Sequence, residues 1–322
     1  MVGDAANATK PSGNAGETGD RLKTSDRLKT SDRLGLDDSL AVGRLTPRNH
    51  SDNVGDRRYV YPVVSRRAGG VSIGVNLNPN RACNYRCVYC QVPGLIRGKG
   101  PAIDLPLLAA ELDDMLDWLE HGDFYAKWVP APMQTLRDVA FSGDGEPTSS
   151  PNFAAAVATV CATLAGRGQA TLPIVLITNG TLAHLPAVRA GIDAMGAVNG
   201  RVWFKLDGGR DEDIEAVNST AVSIERLRAN LRETAARCPT WVQTCAFGLD
   251  GAPPSAQWRQ AWLALLRAEI AHGTPLRGVL LYSVARPSHQ PEASRLLRLD
   301  LDWLEVLADE VRALGLPCEA YP

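Results

Sequence analysis

The 322-residue sequence has no apolar run long enough to span a membrane. A membrane helix needs roughly 18 uninterrupted apolar residues, and no stretch approaches that length. The first residues, MVGDAANATKPSGNAGETGD, also lack the apolar segment of a signal peptide. We therefore expect a cytoplasmic protein with no membrane partner.

An excess of one charge is also missing, since 34 Lys and Arg residues face 36 Asp and Glu residues and the formal net charge is -2. The chain as a whole has no positive field for holding a polyanion. Binding RNA requires the neutralisation of several phosphates. An RNA partner is therefore an open alternative that the charge does not support.

Cysteine is scarce, with seven residues in the whole chain, yet three of them, Cys83, Cys87 and Cys90, lie within one short segment. This crowding differs from a secreted disulfide framework and is typical of a metal or redox site. The other four sit singly among apolar residues and are predicted to be small core side chains. They are Cys161, Cys238, Cys245 and Cys318.

Residues 1–58 contain no aromatic residue and are rich in Asp, Arg, Gly, Ser, Thr and Asn. Such a composition buries too little apolar surface to offset the entropy of ordering, so we predict a disordered tail. The hexapeptide DRLKTS occurs at 20–25 and again at 26–31. Its six-residue period gives no amphipathic stripe, which indicates a low-complexity repeat without an assigned role.

Apolar β-rich runs alternate with segments of helical periodicity throughout residues 59–322, which we predict to form one domain. The alternation is typical of βα units around a parallel sheet. Six such units are too few for a closed eight-stranded barrel, so an open partial barrel and an open doubly wound sheet are the candidates. The predicted strands are 71–77, 138–141, 174–178, 201–206, 241–247 and 276–284. The predicted helices are 105–120, 153–165, 223–236, 255–271 and 302–314.

The three crowded cysteines form a C-x3-C-x2-C loop directly after the first predicted strand. Thiolates at this spacing can converge on one small object, and soft sulfur ligands select zinc or an iron-sulfur cluster. A structural zinc site needs four ligands, and no fourth Cys or His lies between His50 and His121. Three ligands on a four-iron cluster would leave one iron open to an exogenous ligand.

The cysteine loop, CNYRCVYC, resembles the cluster loop of the radical S-adenosylmethionine (radical SAM) superfamily. In that family three Cys residues bind a 4Fe-4S cluster, and S-adenosylmethionine chelates the fourth iron. The resemblance covers about residues 70–285 and implies a partial (βα)6 barrel of the TIM type with an open parallel sheet. It also implies that Tyr89, just before the last cysteine, packs near the adenine.

The segment Ser-Gly-Asp-Gly-Glu-Pro-Thr after the second predicted strand resembles the family's glycine-rich acidic segment, which meets the methionine end of the cofactor. Gly143 and Gly145 permit a close backbone approach. Asp144 and Glu146 offer carboxylates to an ammonium group. The alternative interpretation is a tight strand-to-helix turn without a ligand.

Polar residues at the ends of the third and fourth predicted strands resemble family residues that border the cofactor. They are Asn179, Lys205 and Asp207. The alternatives are that Asn179 shapes a turn, that Asp207 caps a helix and that Lys205 is a surface charge. Contact of Cys245 or Arg286 with a substrate is left open.

The resemblance implies an enzyme that cleaves S-adenosylmethionine reductively and generates a 5'-deoxyadenosyl radical, with electrons from an external flavodoxin-like or ferredoxin-like reductant. The combination of motifs is similar to Fe-S oxidoreductases related to the wyosine-forming tRNA-modifying enzymes. The substrate and the reaction type do not follow from this. Two other functions stay open: an iron-sulfur electron carrier or redox sensor, and a zinc-stabilised binding module.

Overall fold

The computed structural model describes residues 45, 57–65 and 67–322 of the chain. Most of the predicted tail, including the DRLKTS repeat, lies outside the described residues. No helix in the described part combines the length and the apolar character that a membrane crossing requires.

Eight strands form one open sheet, and their order across the sheet is their order along the chain. β1 pairs antiparallel with β2, and every other neighbouring pair in this sheet is parallel. The strands are β1 (Val60–Ser65), β2 (Gly70–Val75), β3 (Leu136–Phe141), β4 (Ile174–Thr178), β5 (Gly200–Lys205), β6 (Thr240–Cys245), β7 (Leu276–Tyr282) and β8 (Cys318–Tyr321).

Helical crossovers connect the successive parallel strands, as parallel pairing requires. The α-helices of the described region are α1 (Leu105–His121), α2 (Phe124–Trp128), α3 (Phe153–Gly166), α4 (Pro186–Gly196), α5 (Asp211–Asn218), α6 (Ile224–Ala235), α7 (Ala256–Ala271) and α8 (Leu301–Ala313). Six strand-and-helix units, from β2 to α8, make a curled half-barrel. The predicted partial (βα)6 barrel is confirmed, and the doubly wound alternative is excluded.

Both edges of the sheet carry a strand that the sequence analysis missed. β1 is antiparallel, so the prediction of a wholly parallel sheet is corrected at this edge. Its sequence contains Pro62, which has no N–H to donate and is tolerated on an edge strand. β8 has only four residues, too few for a recognisable pattern. Three helices, α2, α4 and α5, were also missed.

Apolar side chains from the strands and from the inner faces of the helices form a large core. The six residues of β2 are all buried, because helices cover one face of the sheet and the barrel interior lies on the other. The helix starts differ in how they are capped: the Ser255 hydroxyl accepts from the Trp258 N–H and caps α7. Asn152 lies at the start of α3 but binds the backbone of Ile103 instead.

Leu45 lies within the range predicted as tail, yet its side chain is only 1% exposed and belongs to the core. Its N–H donates to the carbonyl of Trp128, the last residue of α2, at 2.8 Å. Farther along, the N–H groups of Arg58 and Tyr59 donate to the Glu111 carboxylate on α1. Leu45 therefore contributes to the stability of the barrel.

Replacing Leu45 with Ala should lower the free energy of unfolding by about 2–5 kcal/mol, because buried methyl groups are lost and a cavity is left. Urea unfolding followed by circular dichroism measures the change. The control is Val306→Ala, at a position on α8 that is 55% exposed, where we expect a change within about 0.5 kcal/mol. Equal losses in both variants would contradict the burial of Leu45.

Candidate active site

A cavity of about 610 Å3 lies at the carboxyl ends of the parallel strands and extends into the half-barrel. Pockets that enclose cofactors and small substrates have this size. The loops that follow β2, β3, β4 and β7 form its upper wall, and side chains of β5 and β6 line its interior. This is the edge where a partial barrel collects polar side chains from successive strands.

The three cysteines predicted as metal ligands all line this cavity, and none is in a disulfide. The loop is turned by the Cys90 N–H, which donates to the Cys87 carbonyl at 2.8 Å. The Tyr85 N–H lies 3.4 Å from the Cys83 sulfur, and the side-chain amide of Asn218 lies 3.2 Å from the Cys87 sulfur. The structure therefore brings the predicted ligands together on one wall.

Burial raises the pKa of the Cys83 thiol to about 12, with a smaller contribution from the negative charge of Glu146. Burial likewise raises the pKa of Cys87 to about 11 and raises the pKa of Cys90. Such thiols stay protonated at neutral pH until a metal displaces the proton. The donor set of three sulfurs fits a soft metal centre.

Within the described residues, no three or more His, Cys, Asp or Glu side chains are arranged around a single metal ion. A four-iron cluster binds each of its protein thiolates through a different iron, so its ligands need not share one ion. The C-x3-C-x2-C loop matches that requirement better than it matches a mononuclear zinc site, which needs four ligands around one ion.

Gly143 and Gly145 line the cavity and pack directly against the cysteine loop and the segment that leads into it. Gly143 has a φ of +128°, and a Cβ there would lie 2.7 Å from Asn76 Cγ. A Cβ on Gly145 would lie 2.2 Å from the Ala82 carbonyl oxygen. Both positions therefore require glycine, and the close backbone approach is to the protein's own loop.

Glu146 is 3% exposed, and its carboxylate accepts four hydrogen bonds from the protein. The donors are the backbone N–H and the hydroxyl of Thr148, the hydroxyl of Thr178 and the backbone N–H of Asn179. Burial raises the pKa of this carboxyl, and the four hydrogen bonds act in the opposite direction. The side chain joins the loop after β3 to the end of β4.

Asp144 differs from Glu146 in that it is only partly buried, although it too lines the cavity. The side-chain amide of Asn76 donates to its carboxylate at 2.8 Å. Asn76 in turn accepts from the Asn78 N–H at 2.9 Å. Of the two predicted carboxylates, Asp144 has the greater access to a ligand.

Asn179 is 2% exposed, lines the cavity and shapes a turn, as the alternative interpretation proposed. Its side-chain oxygen accepts from the N–H and the hydroxyl of Thr181. Its side-chain amide donates to Asn84, between the first two cysteines, at 2.7 Å. The turn therefore also anchors the cysteine loop.

Lys205 is part of the cavity wall, so the surface-charge alternative is wrong. Its ammonium donates to the Tyr89 hydroxyl at 2.7 Å and lies 4.8 Å from the centre of that ring. The Tyr89 hydroxyl donates to Asp207, which is 2% exposed. Asp207 does not line the cavity and contacts Tyr89 from the side that faces away from it. It does not cap a helix, because α5 begins at Asp211 after Arg210.

Several site residues had no motif to reveal them. Asn218, at the end of α5, donates to both Asp207 and the Cys87 sulfur. Arg67 and Trp203 line the cavity interior. Cys245 and Arg286, left open above, also line it. A single polar or aromatic residue in a strand or turn carries no signal of its own in one sequence, so only the fold places these side chains in the site.

Comparisons with known proteins agree with this architecture. Residues 77–254, more than half of the chain, match the Radical SAM superfamily. A UPF0026 protein of Helicobacter pylori (strain J99) is 24% identical over 174 residues, 52% of this chain and 51% of that protein. The chain spans about half the length of the curated relatives it matches.

The fold resembles that of a solved structure. A radical SAM methyltransferase from Sphaerobacter thermophilus aligns with a TM-score of 0.55 and 16% identity, covering 92% of this chain and 82% of that chain. Archaeal TYW1 aligns with a TM-score of 0.44 and 14% identity, covering 75% of this chain and 71% of that one. The match of the family over residues 77–254 confirms the prediction of a radical SAM enzyme. The chain belongs to the radical SAM superfamily, a family of S-adenosylmethionine-dependent enzymes.

Proposed function

We propose that Cys83, Cys87 and Cys90 hold one 4Fe-4S cluster and that the chain uses it to cleave S-adenosylmethionine reductively. The observation that carries the proposal is that all three thiols line one cavity together with the glycine-rich loop after β3. When bound, the two cofactors supply a 5'-deoxyadenosyl radical that takes a hydrogen atom from the substrate. The protein's part is to bind, orient and shield.

The cluster would be held on a loop that is hydrogen-bonded on both sides. Asn84 joins it to Asn179 and Thr181 after β4, and Asn218 joins Cys87 to Asp207. Hydrogen bonds to ligand sulfurs raise the reduction potential of an iron-sulfur cluster. The Asn218 amide would act in this way on Cys87.

The methionine end of S-adenosylmethionine would lie against the glycine-rich loop, where the Asp144 carboxylate can accept from the ammonium group. The glycines at 143 and 145 allow this loop to pack closely against the protein segment that leads into the cysteine loop. Tyr89 and Lys205 would border the rest of the cofactor. An external flavodoxin-like or ferredoxin-like protein would supply the electron, as the resemblance to the family implies.

The cluster assignment predicts that anaerobically reconstituted protein binds about four irons and absorbs broadly near 400 nm, as thiolate-ligated clusters do. Cys87→Ala should lose most of that iron and produce no 5'-deoxyadenosine from S-adenosylmethionine with dithionite. Iron analysis, absorbance and chromatography of the products measure these changes. The control is Cys161→Ala, which removes a half-buried thiol on α3 outside the cavity and should keep the full iron content.

Two results would contradict the proposal. If a Cys83, Cys87 and Cys90 triple Ala variant kept the iron of the unaltered protein, the ligands would lie elsewhere. If the reconstituted protein held a cluster but neither bound nor cleaved S-adenosylmethionine, it would be an electron carrier or a redox sensor.

For the cofactor contact, Asp144→Asn should weaken the affinity for S-adenosylmethionine by about tenfold to a hundredfold. The reason is the loss of a charge-assisted hydrogen bond to the ammonium group. Iron content should not change. Calorimetric titration of the reconstituted variant tests this, with Asp117→Asn on the exposed side of α1 as the control. An unaltered affinity would remove Asp144 from the cofactor site.

Glu146→Gln should instead lower the free energy of unfolding by about 1–3 kcal/mol, because an amide NH2 replaces one oxygen that accepts from buried donors. Asp144→Asn is the matched control, since an amide oxygen can still accept from Asn76. Urea unfolding of the two variants makes the comparison. If both variants were as stable as the unaltered protein, the carboxylate of Glu146 would not join β3 to β4.

A further inference from the structure

The floor of the cavity is formed in part by Arg67, which lies in the turn between β1 and β2. Ser65 pairs with Gly70 at the start of β2, whereas the cysteine loop follows the other end of that strand. The turn and the cysteine loop therefore lie at opposite ends of β2. The Arg67 guanidinium enters the cavity from the side opposite the proposed cluster.

Two aromatic rings hold this guanidinium in place. Its central carbon lies 4.9 Å from the centre of the Trp203 ring and 5.2 Å from the centre of the Tyr282 ring. Trp203 precedes Lys205 by two residues on β5, so the stack lies about 7 Å further from the cofactor end. Aromatic rings stabilise a guanidinium through its planar faces and leave its N–H edges for an acceptor.

One of those edges has no acceptor. Arg67 Nη1 is buried and finds no hydrogen-bond partner among the described residues. A buried donor left in this state costs free energy, which a ligand with an acceptor oxygen would recover. The charged donor thus indicates a missing partner of negative charge.

Asp138 is an acidic residue on whose carboxyl the charge of Arg67 acts, but it does not supply the missing acceptor. The Ser72 hydroxyl donates to its carboxylate. Burial raises the pKa of this carboxyl, with the Ser72 hydrogen bond and the charges of Arg201 and Arg67 acting in the opposite direction. No ion pair between Arg67 and Asp138 occurs in the described part of the chain.

The whole cavity wall has more cationic than acidic side chains. Six cationic residues line it, namely Arg57, Arg58, Arg67, Arg81, Lys205 and Arg286. Three acidic residues line it, namely Asp138, Asp144 and Glu146. A positive concave wall attracts negatively charged ligands. This excess is local, because the chain as a whole carries a net charge of -2.

We propose that Arg67 is a substrate-binding residue and that the substrate carries an oxyanion, a carboxylate or a phosphate, which Arg67 binds between Trp203 and Tyr282. This proposal rests on the proposed function. The substrate then extends along the cavity, with its anionic group at the floor and its reacting hydrogen toward the cofactor end. Arg67 thereby selects anionic substrates and orients them.

The test uses calorimetric titration of the reconstituted protein, saturated with S-adenosylmethionine, with three small probes of similar shape. Benzoate carries a carboxylate, phenyl phosphate carries a phosphate, and benzamide is the neutral analogue of benzoate. We expect at least one of the two anions to bind about tenfold or more tightly than benzamide. The tighter anion identifies which oxyanion the floor accepts, and equal binding of all three overturns the proposal.

Arg67→Gln should weaken binding of the preferred anion by about tenfold to a hundredfold, as expected for the loss of a charge-assisted hydrogen bond. The matched control is Arg58→Gln, which removes the same charge from the cavity wall near the other end of β1 and should change the affinity less than about twofold. Equal losses in the two variants would show a general charge effect and overturn the assignment of Arg67.

If Arg67→Gln does not fold, Arg67→Lys replaces it, because lysine keeps the charge but lacks the planar fork. We expect that variant to bind the anion at least about threefold more weakly, and an unchanged affinity overturns the proposal. Iron content and S-adenosylmethionine affinity are measured on the same samples. If the proposed function is wrong, the unaltered protein itself will lack the iron or the affinity for S-adenosylmethionine. If only the anion site is wrong, the unaltered protein will have both and will still not prefer the anions.

Discussion

The site depends on a buried carboxylate, that of Glu146. A carboxylate that is withdrawn from water is stable only if donors surround it. Here the donors come from its own loop and from the end of the neighbouring strand β4. The need of Glu146 for these donors therefore fixes how the loops after β3 and β4 lie against each other. The glycines on either side of Asp144 then pack against Asn76 and against the segment that leads into the cysteine loop.

From this carboxylate the hydrogen bonds continue to the cysteine loop. Asn179, which donates to Glu146 through its backbone, donates to Asn84 through its side chain. A second series of hydrogen bonds holds the far side of the loop, from the Cys87 sulfur through Asn218 and Asp207 to Tyr89. In a medium of low dielectric such satisfied networks are strong and specific. The loop is thus oriented before any cofactor binds.

Much of the fold could be predicted because its signals are local. Apolar runs followed by helical periodicity identified β2 to β7 and five of the helices. The edges of the sheet could not be predicted in this way. β1 contains a proline and is stabilised by pairing with β2, and β8 has four residues that acquire strand structure by pairing with β7. Leu45 was not identified either, because the segment that contains it is polar overall and has no β-rich run or helical periodicity of the kind that marked the domain.

The sequence by itself determined the cysteine loop, the glycine-rich segment and their order, because ligand spacing and tight turns are properties of consecutive residues. Only the tertiary structure decided the roles of the remaining side chains. In the folded chain Glu146 accepts hydrogen bonds from buried protein donors, whereas Asp144 lines the cavity, although a single glycine separates the two residues. It also brought Arg67 from an unremarkable turn to the cavity floor between Trp203 and Tyr282. Which groups meet across a curled sheet depends on strand register and burial, and these are set by contacts between residues far apart in the chain.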